Sequence, residues 1–336
     1  MVLDIGETVG LAMRLDEEVS EEELEAIERE LEELAGSVTT KTEGRGARVA
    51  TVTTSTQPRA RARRSDVTRI STGIPELDEA LEGGIPKGSW VAITGEPGTG
   101  KSILCMHFAW AGLQAGDPVV YVTTEAEFRD VIRQAKQFGM DFEQYSIYDI
   151  SSAKEPEETP QIVVIDIFGL LKIARQMAES IPTDAETARK RRFAALDIQT
   201  LIAAIHEAYK ILGVLKSEKS KTPVRHVRLI IDSMSAFWAD KPAMARKYSY
   251  ELKIATHREN VTAYLVSQYA MTTKSTFGFG LEHIADGVFH LWMEDVERAK
   301  EVRRYFIIKK MRMTNHARRA FRVEIEPGKG FTLQPL

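Results

Sequence analysis

Residues 95–102 read Gly-Glu-Pro-Gly-Thr-Gly-Lys-Ser, a full match to the spacing G-x-x-x-x-G-K-[ST]. Each position has a chemical reason. Glycines at 95, 98 and 100 let the backbone wrap closely round phosphate oxygens, and the N–H groups of the loop and of the helix after it supply positive potential there. Lys101 can reach the outer phosphates, and the Ser102 hydroxyl is a hard oxygen ligand for Mg²⁺. Glu96, Pro97, Thr99 and Ile103 complete the stretch expected to line the ligand. Such a loop works with a carboxylate at the end of another buried strand, which holds the metal's water shell. Two aspartates have that setting: Asp232 in Arg228-Leu-Ile-Ile-Asp232, and Asp166 in the stretch VVIDIF. Breaking a bound phosphoanhydride also requires a group that orients or deprotonates water. Glu125 ends the run Tyr121-Val-Thr-Thr-Glu125 and is the candidate base. Its plainer alternative is an acid at the N-terminus of a helix over 126–138.

Strands must present these groups. Trp90–Thr94, Val119–Thr123, Ile162–Phe168, Val227–Asp232 and Thr262–Ser267 are apolar, β-branched runs of buried-strand length. Helical stretches such as Phe128–Phe138 and Asp184–Ala208 lie between them, the second beginning at a capping-box spacing, Thr183 with Glu186. Buried strands joined by helical crossovers predict an α/β fold with a mostly parallel central sheet covered on both faces. From Gly287 to Leu333 the runs are short and lack long helices, which predicts antiparallel strands at the C-terminal edge.

The first 68 residues differ from the rest. Residues 1–55 read as a small N-terminal β-α-β-β unit: a strand at Thr8–Leu15, a helix between Ser20 and Gly36, and a hairpin of Ser37–Thr42 with Ala47–Thr54. Leu24, Ile27, Leu31 and Leu34 give that helix one apolar stripe. The alternative is a tail carrying a single amphipathic helix. Residues 56–68, TQPRARARRSDVT, have the composition of a basic linker, which leaves 69–336 as the phosphate-binding domain. Across all 336 residues the formal net charge is −4, so overall charge gives no push toward nucleic acid. The single cysteine, Cys105, excludes an internal disulfide and an all-cysteine metal site, and its apolar surroundings suit a small buried hydrophobe. No apolar run approaches the ~20 residues of a membrane span, and the start MVLDIGETVG lacks the parts of a signal peptide, so a cytoplasmic protein is expected.

Taken in order, the motifs resemble the RecA/KaiC superfamily. STGIPELDEALEGGIPKG at 71–88, GEPGTGKS, YVTTEAE, RLIIDSMSAFW and IKKMRMTNH follow the family's sequence over about residues 69–336. The tracts DKPAMARK and SQYAMTTKSTFGFGLEHIADGV are most similar to single-domain archaeal KaiC-like proteins, some of them classed as RadA recombinase paralogues. The resemblance implies a RecA-like domain that binds and hydrolyses ATP with Mg²⁺. It places Lys101 and Ser102 on phosphate and metal, favours Asp232 over Asp166 as the Walker B carboxylate, and makes Glu125 the catalytic glutamate. Gln268 matches a polar sensor of the γ-phosphate. Lys310 and Arg312 match a K-x-R pair that KaiC subunits insert into a neighbour's ATP site, with Thr314 and His316 continuing that motif. Read alone, Lys310 and Arg312 are ordinary edge-strand charge. The pair implies a homo-oligomer, a ring or filament with a hexamer foremost. Two positions depart from the pattern: Ala126 replaces a second glutamate, and Met313 stands where glycine is usual.

Three uses are compatible with these residues. One is a RadA paralogue that binds single-stranded DNA and modulates recombination or repair. It rests on Lys274, Phe277 and Phe279 within Ala270–Gly280, a cation beside two stacking surfaces, and on the basic runs Arg59–Arg64 and Arg298–Arg322. The two phenylalanines could equally pack their own loop. The second is a KaiC-like signalling ATPase, an autokinase in one form, acting through protein partners. The third is an ATPase scaffold associated with a motor.

Overall fold

The structure, a computed structural model, describes residues 67–152, 154–176, 196–215, 226–238, 244–268, 280–294 and 300–336. The chain divides between Arg63 and Arg64, and all described residues belong to the second unit. The β-α-β-β reading of 1–55, nearly all of the linker, the Thr183–Glu186 pair, and Lys274, Phe277 and Phe279 lie outside the described residues.

The unit opens with β1 (Arg69–Ile70) paired to β2 (Ile85–Pro86) around the short helix α1 (Pro75–Ala80). Then come β3 (Trp90–Gly95), α2 (Lys101–Gln114), β4 (Val119–Thr123), α3 (Phe128–Gln137), β5 (Ile147–Asp149), β6 (Ile162–Asp166) and α4 (Ile167–Gln176). The rest is α5 (Ile198–Ile211), β7 (Val227–Asp232), α6 (Ala245–Thr256), β8 (Val261–Gln268), α7 (Leu281–Ile284), β9 (Gly287–Met293), β10 (Arg304–Met311), β11 (Phe321–Glu326) and β12 (Gly330–Pro335). The main sheet has ten strands in the order β12-β11-β10-β9-β3-β8-β7-β4-β6-β5. Every pairing from β9 to β5 is parallel, and β10, β11 and β12 add antiparallel strands at one edge.

Alternation along the central strands explains the two-sided cover. In β3, Val91 and Ile93 enter one apolar core with α1, α2 and the inner face of β10–β12. Trp90 and Ala92 enter the other, with α5 and α6. A strand buried on both faces has no polar side, which is why these segments read as continuous apolar runs. Helix α2 is buried nearly all round, including Leu104, Cys105, Met106 and Phe108. A buried arginine fixes it from the sheet side. The Arg228 guanidinium donates to Phe108 O at 2.9 Å and Ser71 O at 2.6 Å and pairs with Asp117 at 3.2 Å. Gly112 leaves the space this side chain needs, since a Cβ there would lie 2.4 Å from Arg228 Cδ.

Three expectations change. Of the helix read as Asp184–Ala208, residues 184–195 lie outside the described residues; α5 begins at Ile198, where Asp197 caps it by accepting from the Thr200 N–H at 2.8 Å. The strand read as Ile162–Phe168 stops at Asp166, whose carboxylate accepts from the Gly169 N–H at 2.7 Å and turns the chain into α4. Strand β5 was not expected: it is three residues long with two of them exposed, too short to show a period.

Candidate functional site: a phosphate loop ringed by carboxylates

The loop leaves β3 at Gly95, where no other residue fits: a Cβ would lie 2.1 Å from the Leu291 carbonyl of the neighbouring strand β9. It ends at Gly100, whose φ of +100° lies in the left-handed region, and α2 starts at Lys101 with its first N–H groups free for a ligand. The Lys101 ammonium folds into the loop, donating to Gly95 O at 2.9 Å and Glu96 O at 2.6 Å. Burial pulls its pKa below the usual lysine value, against the pull of Asp232 and Glu125. Thr99 closes the loop by donating its hydroxyl to Glu96 O at 2.8 Å.

Asp232 ends β7, two strands from β3 across β8. Burial pushes its carboxyl up to about 6, partly offset by a hydrogen bond from the Ser102 hydroxyl and raised further by Glu125. Strand β4 pairs with β7 so that Thr123 stands beside Asp232, which carries Glu125 to the rim of the loop. There Glu125 accepts from the Ser233 hydroxyl at 2.5 Å and from the Gln268 amide, which reaches both carboxylate oxygens at 2.7 Å. Gln268 is the last residue of β8, and its own N–H donates to the Ser235 hydroxyl at 2.7 Å. Helix α3 begins three residues later than Glu125, at Phe128, and the Phe128 N–H is taken by Asp166 at 2.8 Å. Asp166 is therefore occupied by two backbone donors, on a strand separated from β7 by β4. Neighbouring Glu127 is likewise engaged, by Lys172 at 2.6 Å and Arg129 at 2.7 Å.

Lys101, Ser102, Asp232, Glu125 and Gln268 thus converge at the carboxyl ends of the parallel strands. Lys310 and Arg312 do not join them. Strand β10 pairs Arg304 with Met293 beside the loop, but Lys310 with Val288 and Met311 with Gly287, level with the start of β3. The intervening stretch spans roughly 20 Å at about 3.3 Å per residue. At that far end Lys310 Nζ donates to Ala285 O at 2.6 Å, and Arg312 lies 3.3 Å from the Asp286 carboxylate. Thr314 accepts from Arg69 at 2.7 Å and His316 contacts Ala317 O at 2.9 Å, both local packing contacts. Met313 has φ +61°, which explains why glycine suits this turn.

Sequence reading missed Ser233, Ser235, Asp286 and Arg304. Ser233 and Ser235 lay in plain view after Asp232, but nothing local ties them to Glu125 or Gln268. Arg304 donates to Gly98 O at 2.9 Å across 206 residues of chain, and no spacing rule reports such a contact.

A mostly parallel sheet with a phosphate loop after its central strand and carboxylates on the adjoining strand ends defines a RecA-like nucleotide-binding domain. The chain belongs to the KaiC ATPase family: the family profile described as "ATPase: KaiC" matches residues 70–336. It is similar to a UPF0273 protein of Methanopyrus kandleri, 34% identical over 263 residues covering 77% of this chain and 89% of the relative. A UPF0273 protein of Thermotoga maritima is 32% identical over 271 residues, 80% of this chain and 97% of the relative. The crystal structure of a KaiC-like protein from Pyrococcus horikoshii aligns with a TM-score of 0.57 and 26% identity, over 80% of this chain and 100% of that one. An ATPase domain implies ATP as the ligand of the loop. Among the described residues, no helix is long and apolar enough to cross a membrane.

Proposed function

We propose that this chain hydrolyses ATP at the 95–102 loop, in an assembly where a neighbouring copy completes the site. The observation that carries the reading is the convergence of Lys101, Asp232, Glu125 and Gln268 on one loop. Lys101 exchanges the carbonyls of Gly95 and Glu96 for phosphate oxygens. Glu125 accepts the proton of the attacking water, and the Gln268 amide and Ser233 hydroxyl hold its carboxylate in one orientation. Gln268 can also exchange Glu125 for the γ-phosphate, which would link phosphate occupancy to the base.

Magnesium fits the remaining pair. Ser102 and Asp232 are hard oxygen donors already within hydrogen-bond reach of each other, and Mg²⁺ usually takes one or two protein oxygens beside substrate phosphates. Among the described residues no group of three or more His, Cys, Asp or Glu could hold a metal unaided. When bound there, the ion neutralises charge on the phosphates.

Lys310 near the end of β10 and Arg312 just past it sit too far from their own loop to reach it, so their cations serve a neighbour's phosphates, in a ring or filament with a hexamer as the expected closed form. A single-stranded DNA partner, with a role in recombination or repair as a RadA paralogue, rests on Lys274, Phe277 and Phe279 and on the basic runs Arg59–Arg64 and Arg298–Arg322. It calls for a mobility shift that weakens as salt rises. The hydrolytic reading is tested by phosphate release from ATP with purified protein. Saturable, Mg²⁺-dependent release supports it, and no release at any protein concentration rejects it.

A further inference from the structure

Strand β9 and the antiparallel edge beyond it touch the phosphate loop at alternate residues. The Met293 N–H of β9 donates to the Glu96 carboxylate at 3.3 Å. Arg304, the first residue of β10, donates from Nε to Gly98 O at 2.9 Å. Side-chain atoms of Ile325 on β11 and Phe331 on β12 lie 3.2 Å from where a Cβ on Gly100 would stand. Strands β9 to β12 are therefore the outer wall of the loop, and of these contacts only Arg304 grips a loop peptide with a charged group.

That grip has a directional consequence. In a trans peptide the C=O and the following N–H point in opposite directions. Drawing the Gly98 carbonyl outward to the guanidinium turns the Thr99 N–H toward the inside of the loop, where phosphate oxygens lie on the reading above. Gly98 has φ +80° and no side chain to hold it, so this peptide can rotate unless something outside restrains it. The Thr99 hydroxyl secures the opposite side through Glu96 O, which leaves the Gly98–Thr99 peptide as the unit that Arg304 orients.

We propose that Arg304 is a positioning residue for the phosphate loop, fixing the Gly98–Thr99 peptide with its N–H turned inward to the nucleotide phosphates. The inference rests on the reading of residues 95–102 as a nucleotide phosphate site. It concerns the free loop of the same subunit, distinct from the role given to Lys310 and Arg312.

The test is equilibrium binding of ADP and, separately, of inorganic pyrophosphate to the full chain. Arg304→Ala should weaken both by about tenfold, the scale of one charge-assisted hydrogen bond, with the nucleotide-free melting temperature unchanged. Arg304→Lys, which can still donate to Gly98 O, should recover part of the loss for both ligands. Unchanged ADP affinity in Arg304→Ala overturns the proposal. So does a loss for ADP without a loss for pyrophosphate, which would put Arg304 on the base or ribose. If Arg304→Ala does not fold, Arg304→Met and Arg304→Lys are compared with wild type in the same two titrations. Arg304→Lys binding both ligands no better than Arg304→Met, which has no donor, overturns the proposal. Wild-type protein that binds neither ligand would instead reject the phosphate-site reading itself.

Discussion

The two ends of β3 carry similar residue types in opposite states. At the carboxyl end, burial shifts the pKa values of Lys101 and Asp232, and Glu125 is held by side-chain partners that a ligand can displace. At the amino end, Asp286 accepts from the Trp90 N–H at 3.0 Å and pairs with both Lys253 and Arg312 at 3.3 Å, while Lys310 is spent on backbone carbonyls. Charge at one end is held for something that arrives; charge at the other is neutralised at home. The lesson is that Arg312, to serve a neighbour's site as proposed above, must trade a partner. The Arg312 side chain is half-exposed and holds the Asp286 carboxylate by one contact, a link that costs little to break at a surface, while its backbone N–H stays on Asp286 O at 2.9 Å.

The comparison predicts unequal sensitivity at the two ends. Lys101→Ala should abolish hydrolysis and weaken ADP binding, because the phosphates lose their central cation; normal turnover would mean the loop is not the site. Glu125→Gln should retain ATP yet slow phosphate release by about 10²–10⁴-fold, the scale of a lost general base. Glu127→Gln should change it little, since Lys172 and Arg129 already occupy that carboxylate. The reverse ranking would place the base two residues later.

Acidity gives a smaller effect at the same end. The Asp232 carboxyl titrates near 6 in the folded chain against 3.8 ordinarily, so the fold binds this proton more tightly than the unfolded chain does. The metal-free protein should therefore lose stability as pH rises from about 4 to about 6. Mg²⁺ needs the ionised form, so its apparent affinity should fall about tenfold per pH unit below 6. Asp232→Asn should flatten both dependences, and unaltered slopes in that variant would assign the proton elsewhere. At the other end, Met313→Gly relieves a left-handed backbone position that is 60% exposed, and should raise stability by about 1 kcal/mol in chemical denaturation. A loss of stability there would show that the methionine side chain holds the turn.

How much of this was legible follows from how far apart partners lie in the chain. The loop of 95–102 is a local motif, and the two-sided burial of β3 is visible in its unbroken apolar run. Glu125 could be named as a strand-end acid, but its partners Ser233 and Gln268 lie 108 and 143 residues away. Asp166 and Asp232 look alike as strand endings; backbone N–H donors from α3 and α4 separate them, and no spacing reports those. The break before α5 is hard to read because Asp197, an exposed residue within an apparently continuous helical pattern, caps a helix there. Met313 departs from the familiar motif at a position whose φ demands what glycine offers most cheaply.

The central claim is that the two ends meet between subunits, and mixing two dead variants tests it most directly. Lys101→Ala keeps its Arg312 but lacks a working loop; Arg312→Ala keeps its loop but lacks the finger. In a head-to-tail assembly mixed one to one, about a quarter of interfaces pair an intact loop with an intact finger. Phosphate release should therefore recover to about that fraction of wild type, with subunit exchange verified by labelled protein. No recovery at any mixing ratio, together with wild-type activity per subunit that stays flat on dilution, would contradict the account.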